Sequence, residues 1–262
     1  MPRKGFLPTI LLSALMTATA ATPEESRLFD VLRKQGVAVL GPIAAQGGLN
    51  AWAAESDGRP IAIYQAPDRK HVVIGTMLDM AGREAGKSDV VAAVRVSLSN
   101  AVMEQLASTT WIGEGRADAP RIVYVFTDLN CESCFKFWLD ARPWVDSGKV
   151  RLRHILVGLR GPESAGRAAE VLTAADPSSV FLKRVDECAM KAAHPHLPWA
   201  FRCEMPTASA TEVVQHQMDG NMRVLRQFGF NQLPALVWID QHGELRKQIG
   251  VPEDTLMSIF EQ

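Results

Sequence analysis

The sequence predicts a mature chain in two parts: a small α+β unit and, beyond a linker helix, an α/β domain with a helical insertion. Three observations predict it. Residues 61–64 and 71–74 are short apolar strands that follow a helical pattern at 24–35. Residues 122–126, Ile-Val-Tyr-Val-Phe, form an uninterrupted apolar run, the mark of a strand buried on both faces. Residues 164–228 read as mostly helix, and two strands with a last helix follow them. Composition agrees: 262 residues, 47% hydrophobic and 22% charged, exclude disorder, collagen-like repeats and a polytopic membrane protein. The formal charge of −1, from 28 Lys and Arg against 29 Asp and Glu, gives no reason to expect nucleic acid as a partner.

The elements are justified in chain order. Arg3 and Lys4 form a short basic region, and residues 6–16 are apolar apart from Pro8, Thr9 and Ser13. Ala18-Thr19-Ala20 supplies the small residues of a cleavage site, so residues 1–20 read as an export signal cleaved near Ala20. The apolar stretch is shorter than the about 20 residues that cross a bilayer. The mature protein is therefore expected in an exported compartment where disulfides persist.

Residues 21–98 are the α+β unit. Leu28, Val31 and Leu32 have helical spacing, with Gly36 just past the helix end. The two strands are joined through residues 66–70 as a hairpin, and residues 79–83 make the next turn. So small a core leaves strand edges in need of cover, which a second copy of the chain supplies. Residues 99–116 are expected as linker helix and loop: a helix over 100–111 with Met103 and Leu106 on one face, then a loop from Gly113 to Pro120. Residues 117–262 are the second domain. After the buried strand, residues 134–141 read as a helix carrying Phe137, Trp138 and Ala141 on the face of Cys134. Pro143 kinks or ends it, and Gly148 closes the segment. A strand over 150–157 leads into the insertion, which is interrupted at Pro177 and over 194–206. Strands at 235–239 and 245–249 pair around His242-Gly243, and a last helix from Pro252 turns Leu256, Ile259 and Phe260 inward.

The four cysteines, Cys131, Cys134, Cys188 and Cys203, fall into two unlike pairs. A strand followed by C-x-x-C at a helix start is a redox signal in an exported protein; an inert disulfide and half of a zinc site are the plainer readings. Cys131 lies where unpaired backbone N–H groups and the helix dipole favour a thiolate, so it is assigned as an exposed nucleophile. Cys134, one turn on, is the resolving thiol that attacks a mixed disulfide. Leu233-Pro234-Ala235 opens a buried strand far downstream. In a thioredoxin-like fold that proline is cis and sits against the dithiol, and Leu233 offers its backbone to an extended substrate. Cys188 and Cys203 enclose an irregular stretch. A structural disulfide closing a loop of about 15 residues contributes roughly 3 kcal/mol in the chain-entropy model. A zinc site from Cys188, His194, His196 and Cys203, or a second redox pair, is the alternative. Trp138 and Trp144 read as packing, His71 and His154 as structural residues of strands, and Asp128 as a loop cap or an aid to proton transfer.

The run 122–126 through Cys131 and Cys134, with residues 141–150, resembles the DsbG branch of the DsbC/DsbG periplasmic disulfide isomerases. Gly47-Gly48-Leu49 and residues 64–75 are similar too, so the resemblance covers nearly all of the mature chain. It implies an N-terminal dimerisation domain, a linker helix and a thioredoxin-like catalytic domain. It implies a periplasmic V-shaped homodimer with no cofactor or metal, whose partners are misfolded or oxidised exported proteins and a DsbD-like membrane reductant. Isomerisation, reduction and repair of sulfenylated cysteines are the implied activities. A DsbA-like oxidase and a dimeric chaperone are the competing readings. The family usually has Pro-Tyr or Gly-Tyr between the cysteines; here Glu132 and Ser133 stand there. A carboxylate beside Cys131 disfavours its thiolate, which predicts a higher Cys131 pKa and a more reducing couple. Leu233 replaces the threonine usual before the cis-proline, and Cys188 and Cys203 are additions to the DsbG pattern.

Overall fold

The computed structural model describes residues 22–192, 206–251 and 255–261. The expected export signal, His194, His196 and Cys203 lie outside the described residues. The described chain divides into two compact units, one ending at Val94 and the other beginning at Arg95.

The first unit opens with α1 (Pro23–Lys34), which starts where Thr22 accepts the Glu25 N–H and the Glu25 carboxylate accepts the Thr22 N–H, a reciprocal cap. Gly36, at φ 82°, turns the chain into β1 (Val37–Gln46). With β2 (Leu49–Ser56), β3 (Arg59–Gln65) and β4 (Val72–Gly75) it forms an antiparallel sheet in that order. The hairpin β3–β4 is the one the sequence predicts; β1 and β2 were not anticipated. Gly41 and Pro42 interrupt the apolar pattern of β1, and β2 is rich in alanine, a weak strand former. Alanine suits the interior position of β2. Ala51, Trp52, Ala53 and Ala54 are buried in succession, Trp52 and Ala54 with Leu32 and Ile63, Ala51 and Ala53 with Ala62 and Tyr64. A short hairpin of β5 (Met77–Leu78) and β6 (Glu84–Ala85) precedes α2 (Lys87–Ala107).

The helix expected over 100–111 is thus the second half of a longer one, and it stops earlier. The Ser108 and Thr109 hydroxyls donate back to the carbonyls of Gln105 and Leu106, both at 2.7 Å, and end it. Trp111 is not helical: it opens β7 (Trp111–Glu114), which takes part of the expected loop. Met103 and Leu106 do share the packed face.

The second unit continues through β8 (Arg121–Thr127), α3 (Glu132–Asp140), α4 (Arg142–Asp146) and β9 (Val150–Leu156). The insertion is α5 (Pro162–Leu172), α6 (Pro177–Ala192) and α7 (Glu212–Gln227). Then come β10 (Ala235–Ile239), β11 (Leu245–Ile249) and α8 (Thr255–Phe260). Pro143 and Pro177 sit in the first turns of α4 and α6, where a missing N–H costs nothing. The sheet runs β11-β10-β8-β9-β7, with β8 and β9 parallel and the other pairs antiparallel. A βαβ unit joined to a ββα unit around central β8 is a thioredoxin-like domain. Val123 and Val125 of β8 pack with Phe137, Leu256 and Phe260 on one face; Tyr124 and Phe126 pack with Leu106, Leu225 and Phe230 on the other.

Candidate active site

The site grows from the end of β8. Asp128 is fully buried and its carboxylate accepts the N–H groups of Asn130, Leu159 and Arg160 at 2.8, 2.7 and 2.8 Å. It ties the loop before α3 to the loop after β9, so of its two expected roles the structure supports the cap. Its carbonyl also accepts the Cys131 N–H at 3.1 Å. Cys131 is the N-cap of α3, and its Sγ accepts the Cys134 N–H at 3.2 Å. Cys131 and Cys134 are joined as a disulfide.

Cys131 is not exposed as expected. It is 1% accessible and Cys134 2%, both within the apolar cluster of Tyr124, Phe126, Phe230 and Leu233. The reason lies in the loop before β10. The Leu233–Pro234 peptide is cis, as expected, and both residues are buried against the dithiol cluster. The Leu233 carbonyl accepts the Ser133 hydroxyl at 3.1 Å, while Ser133 Oγ lies 3.2 Å from Cys131 Sγ. The Pro234 carbonyl accepts the Gly250 N–H at 2.8 Å, which holds the loop to the end of β11. Glu132, in the first turn of α3, is exposed.

One turn beyond Cys134 lies a charged cluster that sequence reasoning missed. Glu114 of β7 is 5% exposed and accepts from Trp138 Nε1 at 3.0 and 3.1 Å. Arg142 Nη1 lies 2.7 Å and His154 Nε2 2.9 Å from its carboxylate oxygens. Burial pushes the Glu114 carboxyl up; the His154 hydrogen bond and charge and the Arg142 guanidinium outweigh that and hold it below its ordinary 4.5. His154 packs on the Phe181 ring, with centroids 4.6 Å apart. Trp138 is thus packing and anchor together. Trp144 packs on Phe260 and donates to Glu261 at 3.0 Å. His71 is exposed and pairs with Asp68 at 2.5 Å beside its strand. A second missed residue, Asn221, is fully buried on α7. It accepts from Thr110 N–H and donates to the carbonyls of Thr110 and Leu156. A polar residue on the face of Val214, Met218 and Leu225 is the signal that marks it. Cys188 is buried in the cluster of Phe135, Trp138 and Phe181, and it is not a free thiol. Cys203 lies outside the described residues, so the expected Cys188–Cys203 bridge is not placed.

A thioredoxin-like domain with a C-x-x-C at a helix start, set against a cis-proline loop, defines a thiol:disulfide oxidoreductase. Comparison narrows the class. The chain is 34% identical over 254 residues to the thiol:disulfide interchange protein DsbG of Pseudomonas aeruginosa, covering 96% of this chain and 93% of that protein. It is 30% identical over 254 residues to the DsbG of Escherichia coli K12, covering 97% and 98%. The chain belongs to the DsbC/DsbG family of thiol:disulfide interchange proteins. Among solved structures, the catalytic domain of Proteus mirabilis ScsC matches 63% of this chain and 96% of its own at TM-score 0.46 and 19% identity. Helicobacter pylori DsbG matches 81% and 99% at TM-score 0.42 and 15% identity. No protein-family model matches the chain.

Proposed function

We propose that this protein is a periplasmic disulfide isomerase and reductase in which Cys131 is the nucleophile and Cys134 the resolving thiol. The observation that carries the reading is Cys131 at the N-cap of α3, its Sγ at the Cys134 N–H and beside the Leu233–Pro234 loop. An N-cap sulfur meets unpaired N–H groups and the positive end of the helix dipole, which favour a thiolate. The reduced Cys131 thiolate attacks one sulfur of a substrate disulfide and expels the other as thiolate, forming a mixed disulfide. A second substrate thiolate then attacks the substrate sulfur of that bond, which rearranges the substrate and restores Cys131. Alternatively Cys134 attacks Cys131 Sγ, releases reduced substrate and leaves the Cys131–Cys134 disulfide for a DsbD-like membrane dithiol to reduce. A sulfenylated cysteine enters by the same attack, with water as the leaving group. Leu233 and Pro234 present backbone to an extended substrate segment, and Glu132 and Ser133 tune the dithiol.

The substrates are misfolded or oxidised exported proteins, and residues 1–20 are the export signal. The first unit serves dimerisation: β4 ends its sheet, with Val73 and Ile74 exposed at 62% and 42%. A Cys188–Cys203 disulfide is part of the same proposal; Cys188 is buried and not a free thiol, and Cys203 lies outside the described residues. The test of the site is capture. In cells, Cys134→Ala should accumulate mixed disulfides between Cys131 and exported proteins, and Cys131→Ala should accumulate none. Equal capture by both variants, or capture by neither, overturns the assignment.

A further inference from the structure

The Ser133 hydroxyl has one proton and two neighbours competing for it. In the disulfide form it donates to the Leu233 carbonyl at 3.1 Å, with Cys131 Sγ 3.2 Å away. A disulfide sulfur is a weak acceptor, so the carbonyl keeps the proton. A thiolate is charged, and hydrogen bonds to charged acceptors are roughly twice as strong as neutral ones. We propose that Ser133 is a redox-driven hydrogen-bond switch that opens the substrate-binding carbonyl of Leu233 only when the dithiol is reduced.

The step balances as follows. An incoming dithiol gives two electrons to the Cys131–Cys134 bond and becomes a disulfide. One of its protons passes to Cys134 as a thiol, the other goes to solvent, and Cys131 remains as thiolate. The Ser133 O–H then turns from the Leu233 carbonyl to Cys131 Sγ. The carbonyl is left free to accept a backbone N–H from an extended substrate, in the manner of an added strand. When the disulfide re-forms, Ser133 returns to the carbonyl and competes with the substrate for it. The protein therefore holds clients while it has electrons to give and lets go after giving them. Because Leu233 carries no hydroxyl, the proton that serves both neighbours comes from within the C-x-x-C itself. This deepens the proposed function and rests on Cys131 being the exchanging thiol.

The test compares wild type, Ser133→Ala and Ser133→Thr. Thiolate absorbance of reduced protein should show the Cys131 pKa raised by roughly one unit in Ser133→Ala and near wild type in Ser133→Thr. Binding of a fluorescent, cysteine-free peptide of alternating serine and valine is then measured in both redox states. Wild type and Ser133→Thr should bind it roughly fivefold more tightly when reduced than when oxidised, the net effect of one hydrogen bond. Ser133→Ala should bind equally in both states, because its Leu233 carbonyl is never occupied. An unchanged pKa, or a redox contrast that survives in Ser133→Ala, overturns the switch. Exchange of wild type with glutathione disulfide, followed in parallel, separates the two proposals. Exchange with no Ser133 effect overturns the switch alone, and absence of exchange overturns both.

Discussion

At the residue scale, the carboxylates of Glu132 and Glu114 differ in burial, the first exposed and the second buried. Glu132 is exposed beside Cys131, so the repulsion of the thiolate proposed for it is weakened by water. Glu132→Gln should lower the Cys131 pKa by roughly half a unit or less, read from thiolate absorbance; an unchanged or raised value would remove Glu132 from the tuning of the pair. Glu114 is buried, and its partners are the argument. Glu114→Ala takes the nearer of two carboxylates from Arg142 and the carboxylate partner from His154, and should cost about 3 kcal/mol in urea denaturation. The pH dependence has a definite sign. The folded Glu114 carboxyl lies below its ordinary 4.5, so its stabilisation is complete above that value and is lost as pH falls through the lower, folded one. The gap between wild type and Glu114→Gln should therefore close on acidification, and a gap constant from neutral to acid pH would contradict it. Cys131 and Cys134 were legible because chemistry demands their spacing. Glu114 was not: it sits between two glycines, and the partners that define it come from β9, α3 and α4.

At the scale of elements, periodicity found those with one apolar face and missed those that deviate from it. Strands β3, β4, β8, β9, β10 and β11 were readable, as were α1, α3 and the insertion helices. Strand β2 was hidden because four successive buried residues, three of them alanine, do not alternate. Helix α2 was cut short at its start and extended at its end, through Trp111, which opens β7 instead. What ends α2 is local, the hydroxyls of Ser108 and Thr109 bonding back to the last turn. Helix α7 is fixed by Asn221, which serves the end of α2 through Thr110 and the end of β9 through Leu156. Asn221→Leu keeps the branching of the side chain but takes its partner from three backbone groups, so it should cost about 3 kcal/mol in urea denaturation. A loss under about 0.5 kcal/mol would mean that water or a neighbour takes over those bonds.

For the whole molecule, the sequence changes pattern between the small strands and the buried run at 122–126, and the described chain divides into two compact units. The sequence reading sets the junction at 98/99 and the described chain divides at 94/95, both within α2. The exposed Val73 and Ile74 on β4 give the proposed dimer a specific prediction. Sedimentation of the mature protein should show twice the chain mass, and Val73→Lys with Ile74→Lys should halve it, since paired lysines at a sheet edge block strand pairing. The same variant should keep its exchange with glutathione disulfide, because the dithiol lies in the other unit. A dimer that survives both lysines would move the interface elsewhere.

The covering of both sulfurs in the disulfide form has a consequence for who may recharge the protein. A spent dithiol shielded by Phe230, Leu233 and the Ser133 latch is insulated against small thiols that wander past. On the proposed function, electrons enter through a donor shaped to part that loop, which makes the bond a lock with a fitted key. In the oxidising compartment proposed for the protein, such insulation would keep its reducing equivalents from leaking to the surroundings.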